Sequence, residues 1–135
     1  MHKGSCYCGA VRFEISGDLS PVQICHCGQC RKAQGGPFAS NIPVNTDNFK
    51  ITRGESQLRS LESVSRAGKY RVFCRQCGSP IISKMDSRPD VVRLRAGALD
   101  DPVHQKIAHH QFVAFKAEWY EINDDAPQYD EYPPE

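Results

Sequence analysis

The stretch Cys74-Arg75-Gln76-Cys77-Gly78 decides the fold, because it has the form of a zinc knuckle between two strand-like segments. Two thiols separated by two residues can reach one metal ion from a single turn of backbone. The glycine after the second cysteine lets the backbone curl so that its N–H groups face the sulfur. One knuckle supplies only two ligands, so a second cysteine pair must complete the site.

The other five cysteines form one pair and one triplet, Cys6-Tyr7-Cys8-Gly9 and Cys25-His26-Cys27-Gly28-Gln29-Cys30. The two outer pairs supply four thiolates, which saturate one tetrahedral zinc ion, so we expect a structural site. The intact triplet leaves a fourth position open, as a catalytic zinc requires. We therefore predict two zinc ions per chain, the structural one on Cys6, Cys8, Cys74 and Cys77 and the catalytic one on Cys25, Cys27 and Cys30.

A different division of the cysteines is open. Cys27 and Cys30 could join Cys6 and Cys8, which would leave Cys25 with the knuckle at residues 74–77. That arrangement breaks up the most local cluster, so the division into outer pairs and triplet is favoured.

Disulfide and redox explanations of the cysteines fit less well. Residues 1–5 lack the apolar core of a signal peptide, and seven cysteines is an odd number. A redox C-x-x-C belongs beside a βαβ pattern, which this sequence does not show. No apolar run approaches the roughly 18 residues of a membrane span. We expect reduced thiols, a cytoplasmic location and no membrane partner.

Short alternating segments predict a mostly β fold of twisted antiparallel sheets, held by zinc knuckles and with little helix. Predicted strands lie at residues 11–15, 49–52, 57–64, 70–73, 81–84, 91–95 and 118–122. The only predicted helix covers residues 28–34. Within the last strand, Trp119 is expected to be a core or sheet-face aromatic.

Length and charge indicate the domain organisation. A chain of 135 residues suits one domain, which we place at residues 1–123. Residues 118–135 carry a net charge of −7 and the remainder +8. Residues 124–135 are acidic and contain three prolines, so we expect a loosely held C-terminal tail.

Several residues near the triplet are candidates for a role in its chemistry. Arg31 and Lys32 could offset its negative charge or hold an anionic substrate. The loop at residues 35–37 could admit a ligand close to the backbone, and a simple turn is at least as good an explanation. The fourth zinc position could take water, a substrate thiol or a histidine; the candidates are His26, His104, His109 and His110, and none is assigned.

A basic stretch at residues 50–75 carries a net charge of +5. It supports an alternative function, a zinc-stabilised binding module without catalysis, with a polyanion or a protein as partner. Solvent-facing charges that alternate on strands explain the stretch more simply, so no nucleic-acid partner is expected.

The ordered motifs resemble the family of glutathione-dependent formaldehyde-activating enzymes, which includes centromere protein V. The likeness covers roughly residues 4–122 and includes all seven cysteines in order. The matching stretches are residues 4–12, Cys25-His26-Cys27-Gly28-Gln29-Cys30-Arg31, residues 35–38 and 70–80, Arg95-Ala96-Gly97-Ala98-Leu99-Asp100-Asp101 and residues 116–119. This chain resembles the short, minimal members of the family.

The resemblance implies a mostly β fold with two zinc ions, divided over the cysteines as the count above divides them. It also implies a carbon–sulfur lyase of the S-hydroxymethylglutathione synthase type, which joins glutathione or a similar small thiol to formaldehyde. In that reaction a thiolate adds to the aldehyde carbon. No local motif in the sequence identifies a glutathione site.

Overall fold

Ten short strands and one α-helix form the regular structure of residues 1–134, which the computed structural model describes. The strands are β1 His2–Ser5, β2 Arg12–Ile15, β3 Val22–Cys25, β4 Ala39–Asn45, β5 Phe49–Arg53, β6 Leu58–Glu62, β7 Lys69–Cys74, β8 Pro80–Met85, β9 Arg88–Arg95 and β10 Ile107–Gln111. The helix α1 covers Gly28–Gln34, the range that the sequence predicts. The mostly β prediction is confirmed.

Contacts along the chain define two units. Unit 1 comprises Met1–Ser20 and Ile42–His104, and unit 2 comprises Pro21–Asn41 together with the residues from Gln105 onward. All four outer cysteines belong to unit 1, and the whole triplet belongs to unit 2. The predicted boundary between a domain of residues 1–123 and a tail of residues 124–135 stays a prediction.

Unit 1 contains two sets of strands. β1, β2 and β5 form a three-stranded antiparallel sheet. β6, β7, β8 and β9 follow one another as antiparallel neighbours, and β4 lies beside β9. Alternating apolar side chains of these strands form the core, with Phe13, Ile81 and Leu94 almost fully buried.

Unit 2 contains β10, β3 and the first residues of β4, in that order. β3 and β4 pair antiparallel, but β10 and β3 pair parallel, with His110 opposite Ile24 and Gln111 opposite Cys25. The predicted antiparallel arrangement does not extend to β10, where the sequence predicts no strand. Strands far apart in sequence have no hairpin to fix their direction, and alternation of side chains does not reveal it.

The predicted strand at residues 118–122 is wrong as well. Glu118 and Trp119 lie in a turn, and Trp119 is 71% exposed rather than part of the core. The Lys116 ammonium donates to the carbonyls of Ala117 and Tyr120, which draws the segment into this turn. Apolar and polar residues do alternate over residues 118–122, but the Lys116 side chain forms the hydrogen bonds that these carbonyls would accept from a neighbouring strand in a sheet.

The C-terminal segment is tied to β10 by backbone hydrogen bonds. The amide of His110 donates to the carbonyl of Pro127 at 2.8 Å, and the amide of Tyr129 donates to the carbonyl of His110 at 2.9 Å. The amide of Phe112 donates to Glu131, and its ring lies 4.8 Å from that of Tyr132. These contacts do not fit the expectation of a loosely held segment. Within residues 1–134, no helix is long and apolar enough to cross a membrane.

We predict that Gly54→Ala destabilises unit 1 strongly. Gly54 has φ +77°, and a Cβ there would lie 2.0 Å from the carbonyl oxygen of Ala10. Gly17 has φ +81° but open space around it, so Gly17→Ala isolates the backbone cost, about 1 kcal/mol. Thermal unfolding should show a clearly larger fall in midpoint for Gly54→Ala. Equal falls would contradict the steric argument.

Candidate metal centre and adjacent cleft

The outer cysteines converge on one point in unit 1. The sulfurs of Cys6, Cys8, Cys74 and Cys77 all lie within 4.8 Å of one another. The distance is 3.6 Å between Cys6 and Cys8, and 3.9 Å between Cys8 and Cys74. Sulfurs around a tetrahedral zinc ion, at about 2.3 Å from the metal, are about 3.8 Å apart. The spacing therefore fits a four-thiolate zinc site.

Local hydrogen bonds favour the thiolate form of two of these cysteines, Cys6 and Cys77, whereas the neighbouring thiols raise the pKa of Cys8 to about 11. The amide of Val11 donates to the Cys6 sulfur at 3.2 Å. Burial raises the pKa of Cys77, but hydrogen bonding with the Ser79 side chain and with the backbone outweighs it and lowers that pKa to about 5. Ser79 also accepts the amide of Tyr7, so it links the N-terminal pair to the knuckle at Cys77. Gly9 and Gly78 follow their cysteines with φ of +78° and +79°, as the curl of a knuckle requires.

The triplet lies where a strand leads into a helix. Cys25 ends β3, Cys27 is the N-cap of α1, and Cys30 lies in the first turn. The Cys27 sulfur accepts the amide of Cys30 at 3.3 Å, and Gly35 ends the helix with φ 71°. A capping thiol and a left-handed glycine explain why so short a helix forms here. The role of Gly35 supports the simple-turn explanation of residues 35–37.

The three sulfurs of the triplet also lie within 4.8 Å of one another. Cys25 and Cys30 are buried beside Ala39, and Phe112 packs against this cluster. Hydrogen bonding to Cys27 and Cys30, together with burial, raises the pKa of Cys25. A divalent cation among three such thiols removes the energetic cost of ionising them, because it favours the thiolate forms. The donor set fits one zinc ion.

All seven cysteines are thiols rather than disulfides. The structure groups their sulfurs as four and three, so the alternative division, in which Cys27 and Cys30 join Cys6 and Cys8, does not occur. In the part of the chain that the structure describes, no histidine or carboxylate joins either group.

His26 belongs to a buried hydrogen-bond chain instead. Its Nε2 lies 2.8 Å from Nδ1 of His110, whose Nε2 lies 2.9 Å from the Asp124 carboxylate. Both imidazoles are almost completely buried. Burial, with smaller electrostatic effects of His110 and Lys116, lowers the pKa of His26 to about 4, so this ring is neutral near pH 7. The hydrogen bond from His110 lowers the pKa of Asp124.

The remaining histidine candidates are not part of the triplet cluster. His104 is exposed and belongs to unit 1. His109 lies 3.0 Å from the Gln111 side chain and packs edge-on against Tyr129. Neither shares a cluster with the triplet sulfurs.

A cleft of about 480 Å³ lies in unit 2, and sequence neighbours of the triplet cysteines line part of it. One wall is α1, which contributes Gly28 and Arg31, the residues that directly follow Cys27 and Cys30 in sequence. The other wall is the segment from Phe115 to Trp119. Lys32, the second candidate cation, is exposed and does not line the cleft. The structure thus places Arg31 in the lining of the cleft and Lys32 outside it, a difference that the sequence alone does not reveal.

Comparisons with known proteins identify the family. The family described as "Glutathione-dependent formaldehyde-activating enzyme" matches residues 1–115. The chain belongs to this family. The resemblance of the cysteine motifs is thereby confirmed.

Two relatives give the extent of the similarity. A protein of Halomonas elongata named "Putative glutathione-dependent formaldehyde-activating enzyme" is 31% identical over 126 residues, which are 89% of this chain and 80% of the relative. A crystal structure of a Rhodobacter sphaeroides protein superposes with a TM-score of 0.62 at 25% identity, covering 76% of this chain and 91% of the other.

Sequence reasoning missed the contribution of the C-terminal segment to unit 2. Asp124 is the partner of His110, and Phe112 packs against the triplet, yet neither is part of a motif. The weak signal was His109-His110, a polar pair within a strand. A buried imidazole needs partners for its ring nitrogens, and acidic residues follow shortly afterwards in sequence.

We predict that Asp124→Ala loosens the C-terminal segment from β10. It removes the carboxylate that accepts from the buried His110 and from the amide of Ala126. The expected cost is about 1–2 kcal/mol. Hydrogen exchange should speed up at the amides of His110, Phe112 and Val113, which donate to this segment.

Asp125→Ala is the matched control, because Asp125 is exposed and neighbours Asp124. It should leave those exchange rates unchanged. Identical protection in the Asp124 variant would show that the carboxylate does not hold the segment.

Proposed function

We propose that this protein is a zinc-dependent enzyme of the carbon–sulfur lyase type. It joins a small thiol, glutathione or a similar compound, to an aldehyde such as formaldehyde, and it also cleaves the S-hydroxymethyl adduct. One observation carries the proposal: the three sulfurs of the triplet converge, and no histidine, carboxylate or further cysteine completes their cluster within residues 1–134. A cleft lined by Gly28 and Arg31, their neighbours in sequence, lies in the same unit. Membership of the family supports the proposal.

The proposed ligands are Cys6, Cys8, Cys74 and Cys77 for a structural zinc ion, and Cys25, Cys27 and Cys30 for a catalytic one. A zinc ion at the triplet would keep a bound substrate thiol deprotonated at neutral pH. The four-thiolate site is coordinatively saturated, so its contribution is to folding. Thiols that stay reduced suit the cytoplasm, which we propose as the location.

The bond changes are simple. The substrate thiolate adds to the aldehyde carbon, a carbon–sulfur bond forms, and the carbonyl π electrons move to oxygen, which takes a proton from water. Cleavage is the reverse. The cluster needs only to hold the sulfur in place, and the Cys30 amide that donates to Cys27 fixes one arm of it. Proximity and a maintained thiolate are sufficient for a modest acceleration, because the addition also proceeds without a catalyst.

We predict that the protein accelerates exchange between free formaldehyde and its glutathione adduct, and that Cys27→Ser abolishes the acceleration. NMR exchange spectroscopy measures both rates. Ala33→Ser, an exposed change on α1, is the control and should behave as the wild type does. Absence of protein-dependent exchange with glutathione and several other thiols would refute the proposed activity and favour a binding module without catalysis.

We predict two zinc ions per chain, and a substitution in the triplet should remove its own ion without removing the ion of the four-cysteine site. Cys27→Ser should retain one ion and a folded structure, because the saturated site in unit 1 is untouched. Cys74→Ser should lose structure as well as metal, because Cys74 is completely buried at the end of β7. Elemental analysis with circular dichroism measures both properties. One ion shared by both groups, or none, would contradict the assignment.

A further inference from the structure

Arg31 lines the cleft, and one nitrogen of its guanidinium is unsatisfied. Its Nε is buried and has no hydrogen-bond partner. No carboxylate among residues 1–134 forms an ion pair with it. A Cβ on Gly28 would lie 3.7 Å from an Nη atom of Arg31, so the guanidinium folds back over the first turn of α1. That turn starts at Cys27 and carries Cys30.

An unpaired, partly buried guanidinium calls for an anionic partner. Desolvated donors without acceptors are costly, and a guanidinium fork matches a carboxylate in shape and charge. The other cation lining the cleft, Lys116, already donates to two backbone carbonyls. Arg31 is therefore the cation that the cleft offers to a ligand.

The rest of the cleft suits an organic ligand that carries a carboxylate. Trp119 and Phe115 are 71% and 55% exposed, so they offer apolar surface to a ligand's uncharged part. Glu118 also lines the cleft and disfavours a ligand with several negative charges and no positive one. A volume of about 480 Å³ is within the range of small-molecule sites.

We propose that Arg31 is a specificity-determining residue that binds the carboxylate of the thiol substrate, with the remainder of the substrate lying against Trp119. The proposal rests on the proposed function and narrows it: thiols that carry a carboxylate are preferred over neutral or esterified ones. Arg31 contacts the part of the substrate that does not react, so it governs KM rather than kcat.

Binding can be measured without catalysis, because Trp119 is the only tryptophan of the chain. S-methylglutathione has a blocked thiol and both carboxylates, and its dimethyl ester lacks the carboxylates. Titration of the zinc-loaded protein with S-methylglutathione should change Trp119 fluorescence, and the ester should bind about tenfold more weakly or worse. No fluorescence change with S-methylglutathione, or equal affinity for the two probes, would overturn the proposal.

Arg31→Gln should weaken the binding of S-methylglutathione about tenfold. The ratio of the affinities for S-methylglutathione and its dimethyl ester should then be close to one. Lys32→Gln removes the neighbouring exposed cation of the same helix and should keep that ratio. Equal weakening of both probes in Arg31→Gln would mean that the residue supports the structure rather than the carboxylate. If Arg31→Gln does not fold, Arg31→Lys and a salt titration of the wild type replace it. The lysine keeps the charge and should keep a preference for S-methylglutathione over its ester, and added salt should lower that preference severalfold in the wild type. Loss of the preference in Arg31→Lys together with a preference that salt does not change refutes the assignment.

The same proteins separate this inference from the proposed function. If the wild-type protein prefers S-methylglutathione over its ester but does not accelerate formaldehyde exchange, the assignment of Arg31 stands and the proposed enzymatic activity is refuted. If the wild-type protein accelerates exchange equally well for glutathione and for 2-mercaptoethanol, at the same KM, the proposed activity stands and the assignment of Arg31 is refuted.

Discussion

The convergence of sulfur atoms is the constraint on which the rest of this structure depends. Four sulfurs in unit 1 and three in unit 2 are held within 4.8 Å of one another. Thiolates at that distance repel unless a cation lies among them, so each group is stable only as a metal site or with its protons retained. The neighbouring backbone is arranged around this requirement: amides point at Cys6 and Cys27, and left-handed glycines follow Cys8 and Cys77.

The saturated and unsaturated groups differ in how the chain builds them. The four-sulfur group joins the N-terminal segment to the turn between β7 and β8, with Ser79 bridging Tyr7 and Cys77. The triplet comes from a single segment of six residues, in which a strand ends and a helix begins. A site made from one segment leaves the side away from that segment open to other elements. In unit 2 the neighbouring cleft, lined by Arg31 and Trp119, adjoins that segment.

Much of this arrangement could be predicted from sequence because it is local. Helix α1 was predicted at its observed bounds, since Cys27 caps one end and Gly35 the other. Strands β5 to β9 follow from alternation interrupted by turn residues. The division of the cysteines followed from counting ligands. The parts that failed did so for two reasons. The parallel pairing of β10 depends on β3, a partner remote in sequence. The turn at Trp119 is local, but it depends on hydrogen bonds from the Lys116 side chain that an alternating pattern does not reveal.

The C-terminal segment shows why composition misleads at such positions. Acidic residues and prolines predict a solvated tail, yet Asp124 pairs with buried His110, and Glu131 and Tyr132 contact Phe112. Phe112 has φ 56°, a left-handed conformation that costs a residue with a side chain about 1 kcal/mol. It packs against Cys25 and Cys30 nonetheless. The contacts that the C-terminal segment makes with Phe112 offset that cost. The acidic and aromatic residues of the segment therefore help to keep Phe112 packed against Cys25 and Cys30.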